Sequence, residues 1–309
     1  MSHAESDRRE PAYLALLRSG GLAERARLAL GRLASCDLCA RYCRVDRRTT
    51  VKGAVCRTGR FARVSSFGPH FGEEPPLSGS RGSGTIFFAW CSLRCDFCQN
   101  WEISRRGDGE ETGAAELATM MLELQALGCH NVNLVTPSHV VGQVLEAVAI
   151  AAQAGLRIPL VYNTGGYDSP EALALLDGVV DIYMPDAKYG SSDIARRCSH
   201  VPDYVEVNRR AVREMHRQVG DLVLDEQGIA IRGLLVRHLV LPGDLAGTEE
   251  VLAFIAAELS PQTYLSLMSQ YRPCFRASEL PPLDRRPTAD ELQRAREIAD
   301  RLGLRRRAP

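Results

Sequence analysis

The sequence predicts an α/β fold in which helices cover a parallel sheet wound into an open sheet or a partial barrel. Three observations predict it. From residue 84 onward six apolar, β-rich runs alternate with helical patterns. Those runs are apolar at consecutive positions, as expected of strands buried on both faces. Each run also ends in polar residues, glycine or cysteine, and right-handed crossovers bring such strand ends together on the ligand-binding side of a parallel sheet.

The elements follow in order. GTIFFAWC (84–91) is the first strand run, and AAELATMMLELQAL (about 114–127) reads as a helix closed by Gly128. NVNLVTP (131–137) is the second run; Ser138 is placed to cap the helix HVVGQVLEAVAIAAQAG. IPLVYNTG (158–165) is the third. Ser169 followed by Pro170 opens a helix through EALALL that stops at Gly178. VVDIYMPDAKYG (179–190) is the fourth run, and RRAVREMHRQ lies in a helix over about 203–218. IRGLLVRHLVLPG (231–243) is the fifth, with Thr248 expected to cap EEVLAFIAAEL. TYLSLMSQYRP (263–273) is the sixth, and the helix ADELQRAREIADRLG opens with the box Thr288-x-x-Glu291. The Gly-, Pro- and Ser-rich stretch FGEEPPLSGSRGSG (71–84) reads as a join between modules. The resulting division is an N-terminal region with a four-cysteine module (1–70), the strand–helix repeats (71–280) and a C-terminal helix and tail (281–309). MSHAESDRRE at the start and LRRRAP at the end are expected to be solvated and loose.

Composition narrows the function classes. Lys plus Arg and Asp plus Glu number 38 each, so no net charge steers the chain toward nucleic acid or membrane. No apolar run reaches the roughly 18 residues of a membrane span. The polar start has no apolar signal core, so the expected location is the cytoplasm. Ten cysteines in such a chain point away from disulfides. Seven of them fall into two groups: Cys91, Cys95 and Cys98 in CSLRCDFC, and Cys36, Cys39, Cys43 and Cys56 in CDLCARYCRVDRRTTVKGAVC. Cys129, Cys198 and Cys274 stand apart and read as ordinary packed thiols.

The three-cysteine group carries the chemistry. Soft thiolates select zinc, Cu(I) or iron–sulfur clusters. Structural zinc takes four protein ligands. Three thiolates on one short loop can hold three corners of a 4Fe–4S cubane and leave the fourth iron open to a small molecule. The loop leaves a strand, so its N–H groups can reach the sulfides. The other strand ends place Thr136-Pro137-Ser138-His139, Asn163-Thr164-Gly165-Gly166, Asp186-Ala187-Lys188, Pro242-Gly243 and Gln270 on the same side.

GTIFFAWCSLRCDFCQN resembles the signature of radical S-adenosylmethionine (SAM) enzymes, C-x3-C-x2-C with an aromatic residue before the third cysteine. The resemblance runs from residue 84 to about 273. CQN, Asp186-x-Lys188, RHLVLPG, NVNLVTPSH, VYNTGGY and SLMSQYRP are similar to the subgroup of pyruvate formate-lyase activating enzyme-like proteins. The resemblance implies a partial (β/α)6 TIM-like barrel with a parallel sheet, preceded by the small four-cysteine module. It implies a 4Fe–4S cluster on Cys91, Cys95 and Cys98, with SAM on the open iron and Phe97 packed over it. Asn163, Asp186 and Lys188 match positions that contact the ribose and carboxylate of SAM; Gln270 stands at another strand end of that side. The reaction implied is reductive cleavage of SAM to a 5′-deoxyadenosyl radical and abstraction of a hydrogen atom, with a glycyl residue of a partner enzyme as the activase-like target. A flavodoxin or ferredoxin is the electron donor implied. The sequence departs from the family at the second strand end, where a Gly-Gly-Glu-like motif gives way to Thr136, Pro137, Ser138 and His139. Thr136 and Ser138 are then the candidates for the methionyl ammonium. No catalytic side chain is assigned.

The N-terminal spacing C-x2-C-x3-C-x12-C suits a zinc site or an auxiliary cluster. Arg41, Arg44, Arg47, Arg48, Lys52, Arg57, Arg60 and Arg63 surround it. Only Tyr42 and Phe61 offer stacking, so these charges are read as solvated charge that offsets the thiolates or meets an acidic partner, not as a nucleic-acid surface. Two rival classes remain: a non-catalytic iron–sulfur electron carrier or partner-binding protein, supported by the missing Gly-Gly-Glu motif, and a mononuclear zinc enzyme, weakened by the lack of a nearby histidine. A radical enzyme acting on a small molecule is the alternative within the first class.

Overall fold

The computed structural model describes residues 10–306, so the expectation for the first residues of the chain falls almost entirely outside it. Six parallel strands form its centre: β2 (Ser83–Phe88), β4 (Val132–Val135), β5 (Leu160–Thr164), β6 (Ile182–Pro185), β8 (Ala230–Leu239) and β9 (Tyr264–Met268). They coincide with the six apolar runs. Three strands were not legible: β1 (Ala62–His70) pairs antiparallel with β2, β3 (Glu110–Thr112) with β1, and β7 (Val223–Leu224) with β8. The spatial order is β3-β1-β2-β4-β5-β6-β8, with both β7 and β9 on β8. Among the described residues no pairing joins β9 to β3, so the barrel stays open.

Alternation along β5 shows how the layers separate. Leu160 and Tyr162 join the outer core with the helices, whereas Val161 joins an inner cluster with Ile182, Met184 and Leu235. The outer helices are α3 (Ala114–Ala126), α4 (Val141–Gln153), α5 (Pro170–Leu176), α6 (Ser192–Ser199), α7 (Tyr204–Val219), α8 (Thr248–Glu258) and α9 (Ala289–Arg301); two earlier helices, α1 (Tyr13–Ser19) and α2 (Gly21–Gly31), precede β1 and pack on α4. Gly142 of α4 lies opposite Ala29 of α2, where an added Cβ would sit 3.4 Å from the Ala29 backbone.

Several local expectations hold. Ser169 accepts from the Ala172 N–H, and Thr288 and Glu291 form a reciprocal cap. Others do not. Ser138 caps nothing; its hydroxyl lies 2.8 Å from that of Thr164. Thr248 is the first residue of its helix, and its N–H donates to Asp244, which does the capping instead. In both cases a tertiary partner outcompetes the local backbone for a hydroxyl. The stretch 71–84 is not a free join: Leu77 is fully buried in the inner cluster and Glu74 is buried beside it, closing the N-terminal end of the barrel. The expected loose tail is docked as far as it is described. Leu304 is buried, and the Arg306 carbonyl accepts from the Leu265 N–H. No helix of the described residues is long and apolar enough to cross a membrane.

Asp181, at the start of β6, ties α1 to the sheet. Its carboxylate accepts from the N–H groups of Ala12 (2.7 Å) and Leu160 (2.9 Å). Burial pushes its pKa up to about 7, against the pull of those donors. The folded chain therefore holds this proton where the unfolded chain, with a carboxylate pKa of about 3.9, has released it. Its contribution to stability falls as pH rises between about 4 and 7. Urea unfolding from pH 5 to 8 is expected to show a decline in wild-type stability that is flattened in Asp181→Asn.

Candidate active site

The C-terminal ends of the parallel strands enclose a cavity of about 220 Å³. Cys91, Cys95 and Cys98, on the loop after β2, line one side. Thr136, Asn163, Asp186 and Lys188, at the ends of β4, β5 and β6, line the other. Seven of the residues singled out in the sequence thus face one space. A larger open groove of about 730 Å³ lies between β1, β3 and α3, but its charged lining is all glutamate and it holds no cysteine.

The cysteine loop is held from several directions. Trp90 takes a left-handed φ of 64°, and its ring fills the space in which a Cβ on Gly107 would sit, 2.3 Å away. The Asp96 N–H donates to the Cys198 carbonyl (2.9 Å), tying the loop to α6. Every sulfur of the loop accepts a hydrogen bond: Cys91 from the Leu93 N–H (3.3 Å), Cys95 from the Ser199 hydroxyl (2.9 Å) and Cys98 from the Ser104 hydroxyl (3.1 Å). Tyr189 completes a relay, 2.6 Å from Ser199, whose own proton goes to Cys95. Burial pushes the Cys91 thiol up to about 12, and raises that of Cys95 despite Lys188 nearby. A cation bound by these sulfurs would reverse that preference and make the existing donors an outer layer around thiolates.

Opposite the loop, Asp186 lies between two cations. Lys188 Nζ donates to it at 2.6 Å and Arg237 Nε at 2.9 Å; Arg237 Nη2 also donates to the Asn163 side chain at 2.7 Å. Burial works against ionisation of Asp186, but Arg237 and Lys188 outweigh it and hold its carboxyl below the usual range. Burial likewise opposes the Lys188 charge, and Asp186 and Cys95 outweigh it. Helix α7 fixes the strand ends. Asn208 Nδ2 donates to the carbonyls of Gly166 (3.0 Å) and Asp186 (2.9 Å). Gly166 has φ 72°, and a Cβ there would lie 2.2 Å from Asn208 Nδ2, so only glycine fits.

The remaining sequence candidates are placed differently. Ser138 is buried behind the strand end with its hydroxyl on Thr164, and Gln270 is exposed; neither lines the cavity. Phe97 packs edge-on against Tyr189 and Tyr271. His139 is fully buried, donates through Nε2 to the Ala89 carbonyl (3.0 Å), and has its pKa pushed down to about 3 by burial, so it is a neutral brace for the loop. His238, beside Arg237 on the fifth apolar run, is a packed strand histidine between Ala187 and Thr248 and is not one of those candidates. Residues missed in the sequence are Arg237, Ser199, Ser104 and Glu73, the last of which lies 3.9 Å from Arg237 and lines the cavity. A period-two count along RHLVLPG separates Arg237 from His238 and is the one local signal for its inward face.

Thr136 has a left-handed φ of 64°. That conformation is an outlier for a β-branched residue and costs roughly 1–2 kcal/mol. Strain of this kind persists where surrounding structure imposes it, often at functional sites. Thr136→Gly is expected to raise stability by about 1 kcal/mol in chemical denaturation.

The N-terminal cysteines sit against this loop. Arg41, between Cys39 and Cys43, donates from Nε to the Ser92 carbonyl (2.7 Å) and from Nη1 to that of His200 (2.9 Å). Ala40 packs with Leu93 and Phe97. The basic residues are largely engaged within the chain: Arg44 with Asp37, Arg60 with Glu146, Arg57 over the Trp90 ring, and Arg47 fully inside. Arg47 is thus not solvated, contrary to the simplest reading of the basic stretch.

The sequence model of the Radical SAM superfamily matches residues 85–226, which contain the cysteine loop, Asn163, Asp186 and Lys188. An uncharacterized protein of Methanocaldococcus jannaschii is 31% identical over 281 residues, covering 87% of this chain and 75% of that one. The chain belongs to the radical SAM superfamily. The crystal structure of a radical SAM methyltransferase from Sphaerobacter thermophilus superposes with a TM-score of 0.46 at 16% identity, over 72% of this chain and 64% of that one, less than two thirds of its length. Radical SAM membership implies a 4Fe–4S cluster and SAM, and the donor set fits. Three hydrogen-bonded thiols share the cavity, and among the described residues no fourth cysteine and no histidine lines it.

Proposed function

We propose that this radical SAM enzyme works at the Cys91–Cys98 loop and abstracts a hydrogen atom from a glycyl residue of a partner enzyme. The observation that carries the SAM chemistry is the cavity shared by three hydrogen-bonded thiols and the Lys188–Asp186–Arg237 network; the glycyl target rests on the resemblance of CQN, RHLVLPG and VYNTGGY to activating enzyme-like proteins. When bound, a 4Fe–4S cluster with SAM on its open iron supplies the reductive cleavage that yields the 5′-deoxyadenosyl radical. Cys91, Cys95 and Cys98 hold the cluster, and Ser199, Ser104 and the Leu93 N–H neutralise part of the charge on their sulfurs. Lys188 offers its ammonium to the methionyl carboxylate. Asp186 and Asn163 offer acceptors to ribose hydroxyls, and Arg237 keeps both side chains in place. Thr136 presents its strained backbone and hydroxyl to the ammonium end, where no carboxylate stands. A ferredoxin or flavodoxin in a reducing cytoplasm suits the electron supply.

Anaerobic protein loaded with iron and sulfide, then given dithionite and SAM, is expected to release 5′-deoxyadenosine. A chain that holds its cluster and releases none, with or without partner proteins, is an electron carrier. With a glycyl radical enzyme as substrate, a glycine-centred doublet in electron spin resonance is expected. Its absence across such enzymes, with 5′-deoxyadenosine still formed, moves the target to a small molecule.

A further inference from the structure

Cys36, Cys39 and Cys56 are buried and Cys43 is half-buried, all within one tight fold of chain. The Cys36 N–H donates to the Val45 carbonyl, and the Arg44 N–H returns to the Cys36 carbonyl. Inside that fold lies Arg47, only 2% exposed. Its Nε donates to the Thr58 carbonyl (2.6 Å), and its Nη1 to the His139 carbonyl (2.8 Å) and the Cys36 sulfur (3.4 Å). Its Nη2 is buried without a partner. No carboxylate pairs with it among the described residues; the groups nearest its charge are the thiols of Cys56, Cys36 and Cys39.

A guanidinium buried among carbonyls and neutral thiols is costly, because nothing repays the loss of water around its charge. Four thiolates around a metal core carry net negative charge and remove that cost. We propose that Cys36, Cys39, Cys43 and Cys56 hold a second iron–sulfur cluster and that Arg47 is its buried counter-charge. The close spacing C-x2-C-x3-C resembles that of ferredoxin cluster loops, which favours a cluster over a single zinc ion. Arg47 also joins the centre to the other site: the His139 whose carbonyl it holds braces the Ala89 carbonyl, two residues before Cys91. The proposal stands apart from the radical chemistry.

The test uses the full chain with Cys91, Cys95 and Cys98 all changed to serine, so that only the second site is counted. After anaerobic loading, iron and sulfide in equal amounts, about two or about four of each per chain, are expected, with a resonance signal on dithionite reduction. Adding Cys43→Ala, at the half-buried ligand, is expected to abolish both. In the same background Arg47→Gln is expected to shift the midpoint potential to a more negative value, since losing a nearby positive charge disfavours electron uptake. Arg47→Lys is expected to recover most of the shift. Zinc in place of iron, or no metal, overturns the cluster; an unchanged potential in Arg47→Gln overturns the counter-charge. If Arg47→Gln does not fold, Arg47→Met, which also removes the charge but keeps an apolar stem, is read against Arg44→Gln, an exposed charge of the same segment: a more negative potential in the former alone supports the counter-charge, and none overturns it.

Discussion

Cys95→Ala is expected to retain its fold, lose the iron of the first site and release 5′-deoxyadenosine only at background. Cys95 is the middle ligand of the loop, and its sulfur is the one that Lys188 and Ser199 both address. Two thiols remain after the change, and neither can move into its place. Cys91 is fixed by its own chain N–H two residues on, and Cys98 by Ser104. Ser199→Ala gives the graded counterpart. It removes a donor from Cys95 and leaves Tyr189 without its partner, yet keeps all three ligands. Losing such an outer partner typically costs about 10–100-fold in metal affinity or activity. Iron content and 5′-deoxyadenosine yield, measured on both variants, are expected to separate loss from attenuation. Equal yields from Cys95→Ala and wild type would remove the loop from the reaction.

Asp186→Asn is expected to destabilise the chain by about 3–5 kcal/mol, because it leaves Lys188 and Arg237 as buried cations without their shared carboxylate. The sign with pH follows from the lowered pKa of Asp186. Its contribution is fully present above the ordinary carboxylate value of about 3.9 and is lost as pH falls through the lower folded value. Wild-type stability is therefore expected to drop on acidification, and Asp186→Asn to drop less. Adding Lys188→Met to Asp186→Asn removes one stranded cation and is expected to recover part of the loss in urea melts, without restoring SAM binding. An Asp186→Asn chain as stable as wild type would mean that the network is relaxed by solvent.

Much of this was legible in the chain itself. The six apolar runs became the six parallel strands because a strand buried on both faces must be apolar at every position, a local property. The spacing of Cys91, Cys95 and Cys98 was equally local, since one loop carries all three. Asp186 and Lys188 were visible as a strand-end pair. Arg237, Ser199 and Arg41 were not, because each acts on a residue far away in sequence: 51 positions for Arg237 to Asp186, 104 for Ser199 to Cys95, and 51 for Arg41 to Ser92. Ser138 and Thr248 show the reverse error, local caps on paper whose hydroxyls found tertiary partners.

The sequence by itself determined the alternation of strand and helix, the side of the sheet on which polar residues collect, and the thiol loop, all of which depend on spacing over a few residues. Only the tertiary structure decided that the barrel stays open, that Leu77 of 71–84 is buried in the inner cluster, that Ser138 and Gln270 stand outside the cavity, and that Arg47 is buried beside Cys36, Cys39 and Cys56. Those outcomes depend on which distant surfaces meet. Burial of charge and competition for hydrogen bonds settle that only once the whole chain is packed.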